Sequence, residues 1–507
     1  MRQRIPFLLF AFFYLVFSLG TYKDYGCTWD EKDTYQGGME LYQFIVHGEK
    51  PAYFDPEHSY PYPFLLNFFT SKINYEFFHL LNLLFALLLF WAVYEVVLFQ
   101  TRKRIWALAG PVFLFLSLSF LGSIPANPKD VPFALFYFLS LAALYLFEEN
   151  LPEFKARWAI LGVLFAFTMS SRIVGFTLFP VLMIYDFYLF GIRKQKRGQG
   201  GFRKWFFWRS KDWFGVLATS QILCMVLWPY LGEHYFKHLI NVFWLSAHFP
   251  PRFEFLFMGG TSDTINYPWY YLPLWIGFTT PLFLLVFFIY SFFKFRGGSV
   301  HHLYFLLGGA FLLNFGLYLL LHPAIYDGIR HFLFLIPILS TMAALAFIEF
   351  FRPIRPQDSK SPGNSLGKMT VGFLMVLNMG MTGAHLIRLH PYEYVYFNEL
   401  AGGFKGAYGK YETDYWVASM KEAVEWLKKN EIKGSNRIYK IYAQGAPFQS
   451  QTYFNSNMIW WDKREEADFA VIMTRAGIRP GPGEETKIIH RVEREGAPLS
   501  FILKMAR

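Results

Sequence analysis

Stretches of about twenty residues nearly free of charge recur along this chain, and they limit its architecture more than any other feature. Inside a bilayer every backbone N–H and C=O must be satisfied within the segment, so such runs become membrane-spanning helices. About eleven candidates of sufficient length are visible, near 5–21, 76–99, 105–124, 131–147, 157–171, 173–191, 213–231, 271–293, 302–321, 332–350 and 369–389. The first is short. With "MRQR" before it and small residues after it, it also fits a signal peptide, and the orientation is the same either way. Of the 507 residues 54% are apolar and 17% charged, a membrane composition rather than that of a large soluble enzyme. Two cysteines, Cys27 and Cys224, form neither a disulfide framework nor a paired metal motif.

The net charge of +11 does not mark a nucleic-acid binder, because the basic residues collect in short loops between apolar runs. "MRQR", "TRKR", "FKAR", "RKQKRGQGGFRKWFFWRSK", "FKFR" and "FRPIRPQDSK" fall at alternate loops, which sets them on the cytoplasmic side. Topology and lipid headgroups account for the basic, Trp-containing loop at 193–211 without nucleic acid. The N-terminus is then cytoplasmic and everything after about residue 390 lies outside the membrane, in accord with an odd number of spans.

The first outer loop, 22–75, is too long for a connector. Tyr35, Met39, Tyr42 and Val46 recur at helical spacing and predict a short helix in the membrane interface. The tyrosines of "YFDPEHSYPYPF" read as headgroup anchors. The loop at 232–270, with its Gly pair and prolines, reads as a flap or a connector. Beyond 390 the pattern changes. "TDYWVASMKEAVEWLKKN" is helical, and "RIYKIYA", "ADFAVIM" and "PLSFILKM" are strands. The expected fold is therefore a polytopic α-helical bundle over 1–389, followed by a small extracytoplasmic α/β domain over 390–507.

Charged residues gather at the outer ends of the spans. They are Asp30, Glu31 and Asp33 in "CTWDEKD", Lys129 and Asp130 in "ANPKDVP", Arg172 between two spans, and Asp327, Arg330 and His331 in "YDGIRH". Each alone reads as a solvated loop residue. Together they are the mixture that group transfer from a lipid-phosphate carrier needs. A carboxylate takes the proton from an attacking hydroxyl, and cations neutralise the departing phosphate.

"TWDE", "ANPKDVPFA", "SRIVG", "YDGIRHFLFLIP" and "HPYEYVYFNELAGGFKGAYGKYETDYW", in that order, resemble the bacterial phospholipid-carrier-dependent glycosyltransferases. These are related to the protein O-mannosyltransferases and the aminoarabinose transferases of lipid A. The resemblance covers about residues 25–425 and implies the GT-C fold, with a long first outer loop carrying an acidic pair. It implies Asp30 as general base, Glu31 as its orienting or acceptor-binding neighbour, and Asp130 as the second acidic position. Lys129, Arg172, Arg330 and His331 become the candidates for the carrier phosphate. The implied reaction inverts the anomeric carbon: an acceptor hydroxyl on a lipid, glycan or protein displaces polyprenyl phosphate at the outer face of the inner membrane.

Other readings stand beside this one. "GGFKGAYGKY" is not a P-loop, since Phe404 and Tyr411 occupy positions that need Gly and Ser or Thr. Gly402, Gly403, Gly406 and Gly409 then shape turns. The tyrosines around them anchor helices at headgroups or stack on a sugar. No activated nucleotide is needed; His322, Asp327 and His331 are the candidates for a divalent metal if their side chains converge. A transporter or flippase is the alternative class, but such proteins carry ionisable residues within spans rather than at their outer ends.

Overall fold

The computed structural model describes residues 4–51, 59–69, 74–150, 156–197, 201–247, 253–293, 301–352, 363–445 and 447–505. Five of its helices are long and apolar enough to cross a membrane: Tyr75–Thr101, Asp130–Glu148, Ile173–Ile192, His301–Leu321 and Leu366–Leu389. Shorter apolar helices are Ile5–Thr21, Trp106–Phe115, Arg157–Ser171, Leu282–Phe293 and Leu335–Phe350. Ile5–Thr21 packs Phe7, Phe10 and Tyr14 against Phe90 and Tyr94, and the Tyr14 hydroxyl donates to Leu83 O at 2.9 Å. Its other face exposes Leu8, Leu9, Phe12, Phe13 and Val16, and Leu366–Leu389 likewise turns most of its apolar surface outward. Faces of this size are stable against lipid, not water, so the chain is a multi-pass helical membrane protein.

Three expected spans have a different shape from a single straight helix. The stretch 105–124 bends after Trp106–Phe115 at Ser117, whose hydroxyl turns back to Phe113 O and across to Ser340 Oγ, both at 3.2 Å. The stretch 271–293 is two helices, Tyr271–Thr279 and Leu282–Phe293, parted at Pro281. Proline has no N–H to donate and forces the residue before it to extend, as Thr280 does. Asn398 Nδ2 donates at 2.7 Å to both Gly277 O and Thr280 O, satisfying carbonyls the break leaves open. The stretch 213–231 begins earlier, in the helix Phe202–Leu227, and stops before Pro229. Arg209 in that helix bonds Asp186 at 2.8 Å, Glu148 at 2.5 Å and Asp212 at 3.3 Å, tying three helices at the end opposite the long first loop.

That first loop contains the expected helix, Glu31–Tyr42, continued by a wider π turn at Gln43–His47. It is packed inward rather than laid out on its own. Tyr35 sits 4.3 Å from Phe78, and Asn82 donates to the Tyr35 hydroxyl at 3.0 Å while accepting from Tyr62 at 2.8 Å. Tyr62, read from sequence as an anchor, is thus a core residue; residues 52–58 of that segment lie outside the described residues. Tyr392, Tyr394 and Tyr396 are also buried, so they serve neither as headgroup anchors nor as a sugar platform. Gly402, Gly403 and Gly409 adopt positive φ, as turn glycines do.

Within 232–270 a helix, Tyr235–Ala247, precedes a hairpin of β1 (Glu254–Phe257) and β2 (Gly260–Asp263). Met258 and Gly259 both take positive φ, the geometry that suits a two-residue hairpin turn. This hairpin is pinned rather than loose: Gly259 N donates to Lys410 O at 2.8 Å, and Leu256 N to Glu412 Oε2 at 3.1 Å. The C-terminal sheet adds β3 (Tyr439–Ala443), β4 (Met458–Trp460), β5 (Phe469–Met473), β6 (Ile488–Arg494) and β7 (Ala497–Lys504). Its order is β4-β3-β5-β7-β6, parallel on the β4-β3-β5 side and antiparallel beyond. β5 is buried along its whole length, as its unbroken apolar run requires at the sheet centre. The helix Met420–Asn430 lies on the sheet through Val424 and Leu427. It is shorter than expected, because Asp414 folds residues 414–419 into a turn by accepting from Ala418 N and Ser419 N.

Candidate active site

The first loop meets the C-terminal segment over a short distance. Cys27 N donates to the Tyr453 hydroxyl at 2.8 Å, Gln449 Nε2 donates to Cys27 O at 3.2 Å, and Gly26 lies so close to Ala418 O that no side chain fits. "CTWDEKD" is thereby held from outside the bundle, and its two leading acids diverge.

Glu31 is fully buried and points away from the other charged residues. Its Oε2 accepts from Thr28 N at 2.8 Å and its Oε1 meets His79 Nε2 at 2.9 Å. The bond from Thr28 N closes a turn just ahead of the helix, whose N-cap is Asp30, and the Thr28 hydroxyl donates to Ala126 O at 2.8 Å. Asp30 turns the other way, with 27% of its side chain exposed, and forms an ion pair with Arg330 Nη2. Arg330, 3% exposed, spends its fork on three carboxylates: Asp30, Asp130 Oδ2 at 3.3 Å from Nε, and Asp327 Oδ2 at 3.0 Å from Nη1. Trp416 covers its face at 4.7 Å.

Each partner is set by its own local structure. Asn127 Oδ1 accepts from Asp130 N at 2.8 Å and its Nδ2 donates to Asp130 Oδ2 at 3.0 Å, so "ANPKD" forms an Asx turn that opens the helix at Asp130. Arg172 stands between Arg157–Ser171 and the next helix in extended backbone and pairs with Asp130 Oδ1; its Nε has no hydrogen-bond partner among the described residues. Asp327 and Gly328 both have positive φ, which turns the chain sharply and aims Asp327 and Arg330 inward together. Lys129 is half-buried; burial pulls its ammonium's pKa down while Asp30 acts to keep it charged.

The electrostatics follow from these neighbours. Burial alone raises the Asp30 pKa, but Arg330, Lys129 and Arg172 outweigh it and hold the carboxyl below its ordinary range. Asp327 goes up, because burial exceeds the help of Arg475 and Arg330. Burial and the flanking Arg172 and Arg330 push His331 well below the usual imidazole value. His331 is therefore a neutral donor or acceptor beside the cluster, not the cation expected from sequence. His322 does not join Asp327 and His331: it stacks on Tyr267 at 4.1 Å and reaches Ile265 O at 3.2 Å. Among the described residues no group of three or more His, Cys, Asp or Glu side chains is placed to hold a metal.

Two cavities flank the cluster. One of about 170 Å³ is lined by Arg172 and His331 together with Ile173, Val174 and Phe332. The other, about 500 Å³, is lined by Asp30, Asp33, Glu254, Asp327, Arg330 and Arg475 among others. Tyr326 borders both. The structure thus brings together Asp30, Asp130, Lys129, Arg172, Arg330 and His331, and leaves Glu31 apart. Arg475, Trp29, Tyr326 and Glu254 were not read as site residues. Only the fold brings 475 beside 30 and 327, and no local pattern marks it.

No family model matches the chain, and no curated protein is similar to it in sequence. Solved structures are similar to it in fold. ArnT from Cupriavidus metallidurans bound to undecaprenyl phosphate is similar with a TM-score of 0.50 at 14% identity, over 89% of this chain and 85% of that one. The apo state of the same protein gives 0.49 at 12% identity, over 98% and 96%. The archaeal oligosaccharyltransferase AglB from Archaeoglobus fulgidus, in complex with an inhibitory peptide and a dolichol-phosphate, gives 0.43 at 13% identity, over 82% and 58%. At these identities the likeness to ArnT is one of fold. It agrees with the polytopic, mostly helical architecture with a small β-containing part that the sequence motifs implied.

Proposed function

We propose that the chain is an inverting glycosyltransferase that moves a sugar from a polyprenyl-phosphate carrier to an acceptor hydroxyl on a lipid, glycan or protein. One observation carries this reading: three carboxylates and a set of cations, drawn from four separate segments, converge between two cavities, the smaller lined by Arg172 and His331 beside Ile173, Val174 and Phe332. The ArnT of like fold holds undecaprenyl phosphate, which supports the carrier class. Residues 1–389 form the transmembrane part, with the N-terminus cytoplasmic. Residues 390–507 lie outside the inner membrane.

In this scheme the carrier's phosphate lies against Arg172, with Lys129 and Arg330 near and the neutral His331 as a further donor. Its tail runs along the apolar wall at Ile173, Val174 and Phe332. The acceptor approaches through the larger cavity. Its O–H oxygen forms the new bond to the anomeric carbon as the carbon–oxygen bond to phosphate breaks. The electron pair leaves with the phosphate, where the cations stabilise it, and Asp30 takes the proton. A phosphate bound at Arg172 and Arg330 competes with Asp30 for Arg330, releasing the carboxylate when it is needed. Asp130 holds both guanidiniums in place. Glu31 shapes the turn that presents Asp30.

The test is turnover in nanodiscs with radiolabelled polyprenyl-phosphate sugars and an envelope extract. Release of free polyprenyl phosphate, with label passing to the extract, is the expected result. Lipid movement across the bilayer with no release from any donor would contradict the proposal and favour transport.

A further inference from the structure

Arg330 cannot serve three carboxylates equally, and the structure shows how the two buried ones, Asp130 and Asp327, are relieved. Asp130 has a second cation in Arg172. Asp327, 3% exposed, has one in Arg475, whose Nη2 lies 3.1 Å from Asp327 Oδ1. Asp30 alone has no second cation at bonding distance among the described residues; Lys129 acts on it only from farther off. Arg475 follows the central strand β5. Its guanidinium also donates to Tyr415 O at 3.3 Å and lies 5.1 Å over the ring of Trp29, the neighbour of Asp30. A residue of the C-terminal sheet therefore touches both arms of the cluster, the Trp29–Asp30 arm and the Asp327–Arg330 arm.

We infer that Arg475 is a positioning residue of the transfer site: by neutralising one oxygen of Asp327 it leaves Arg330 free to serve Asp30 and an incoming phosphate. This rests on the glycosyl-transfer reading above. Without Arg475, the buried Asp327 draws Arg330 to itself, and the site carries one more uncompensated negative charge where an anion must bind. The C-terminal sheet then does more than cover the bundle: it sets the charge balance of the chemistry from outside the membrane.

The experiment measures binding of undecaprenyl phosphate itself to the full-length protein in nanodiscs. Arg475→Gln is expected to weaken binding about tenfold, the effect of one added charge within a few ångströms of a partly screened site. Arg475→Lys, which keeps the charge, is expected to stay within about threefold of wild type. The decisive variant is the double substitution Arg475→Gln with Asp327→Asn, which removes the surplus charge and should return affinity close to wild type. A residue that merely docked the sheet would not be rescued this way. Unchanged binding in Arg475→Gln, or a double variant as weak as the single one, overturns the inference. A wild type that binds no undecaprenyl phosphate overturns the glycosyl-transfer reading, and the inference falls with it.

Discussion

Asp30 and Glu31 are adjacent in sequence and opposite in environment. Successive residues of a helix point about 100° apart, so at the start of Glu31–Tyr42 one acid faces the charged cluster and the other the bundle. Glu31→Gln removes the charge from a buried pair and leaves His79 facing an amide. It should cost about 1–3 kcal/mol, read as a lower unfolding midpoint, with turnover per folded molecule largely kept. Turnover lost at full stability would return Glu31 to the chemistry. The gathering of Asp30, Asp130, Lys129 and Arg330 was legible in sequence because each stands at the end of an apolar run, where charge is costly and conspicuous. Glu31, grouped with Asp30 in sequence, meets His79 instead of the cluster, because neighbouring residues at a helix start point in different directions. Arg475 was not legible at all, since its partners lie 148 and about 445 residues away.

At the scale of elements, most of the bundle and three of the five C-terminal strands follow from periodicity. β4 has only three residues, and β6 buries only Val492, so neither presents a pattern to read. The break at Pro281 depends on Asn398, more than a hundred residues on. Asn398→Leu should strand the Gly277 and Thr280 carbonyls at about 1–3 kcal/mol each, visible as a drop in thermal midpoint. Glu412 links the hairpin to the segment after β5: its Oε2 accepts from Leu256 N at 3.1 Å and its Oε1 from Ala476 N at 2.8 Å. Burial lifts its pKa to about 7 from 4.5, and the two N–H bonds only partly oppose this. The folded value lies above the unfolded one, so the group's stabilising contribution is full below about pH 4.5 and is lost as pH rises through 7. Thermal midpoints of wild type relative to Glu412→Gln should therefore fall between those values; a constant difference across that range would count against the assignment.

For the whole molecule, the central arrangement is a site at one end of the bundle, walled on its outer side by the hairpin and the C-terminal sheet. Both native cysteines are buried, which gives a low background for labelling. With a membrane-impermeant maleimide, Lys463→Cys in the sheet region should label from outside intact inner-membrane vesicles of native orientation. Lys211→Cys, in the basic helix, should label only after permeabilisation. The reverse pattern would invert the topology and put the site on the wrong face for the scheme above. The most direct test of the central claim remains the chemistry at Asp30. Release of polyprenyl phosphate from a labelled donor is compared between wild type and Asp30→Asn in the same nanodiscs, with unfolding midpoints measured in parallel. Loss of a general base predicts a rate lower by about 10²–10⁴ in a protein that stays folded. Turnover within a few-fold of wild type would contradict the assignment of Asp30 as the base.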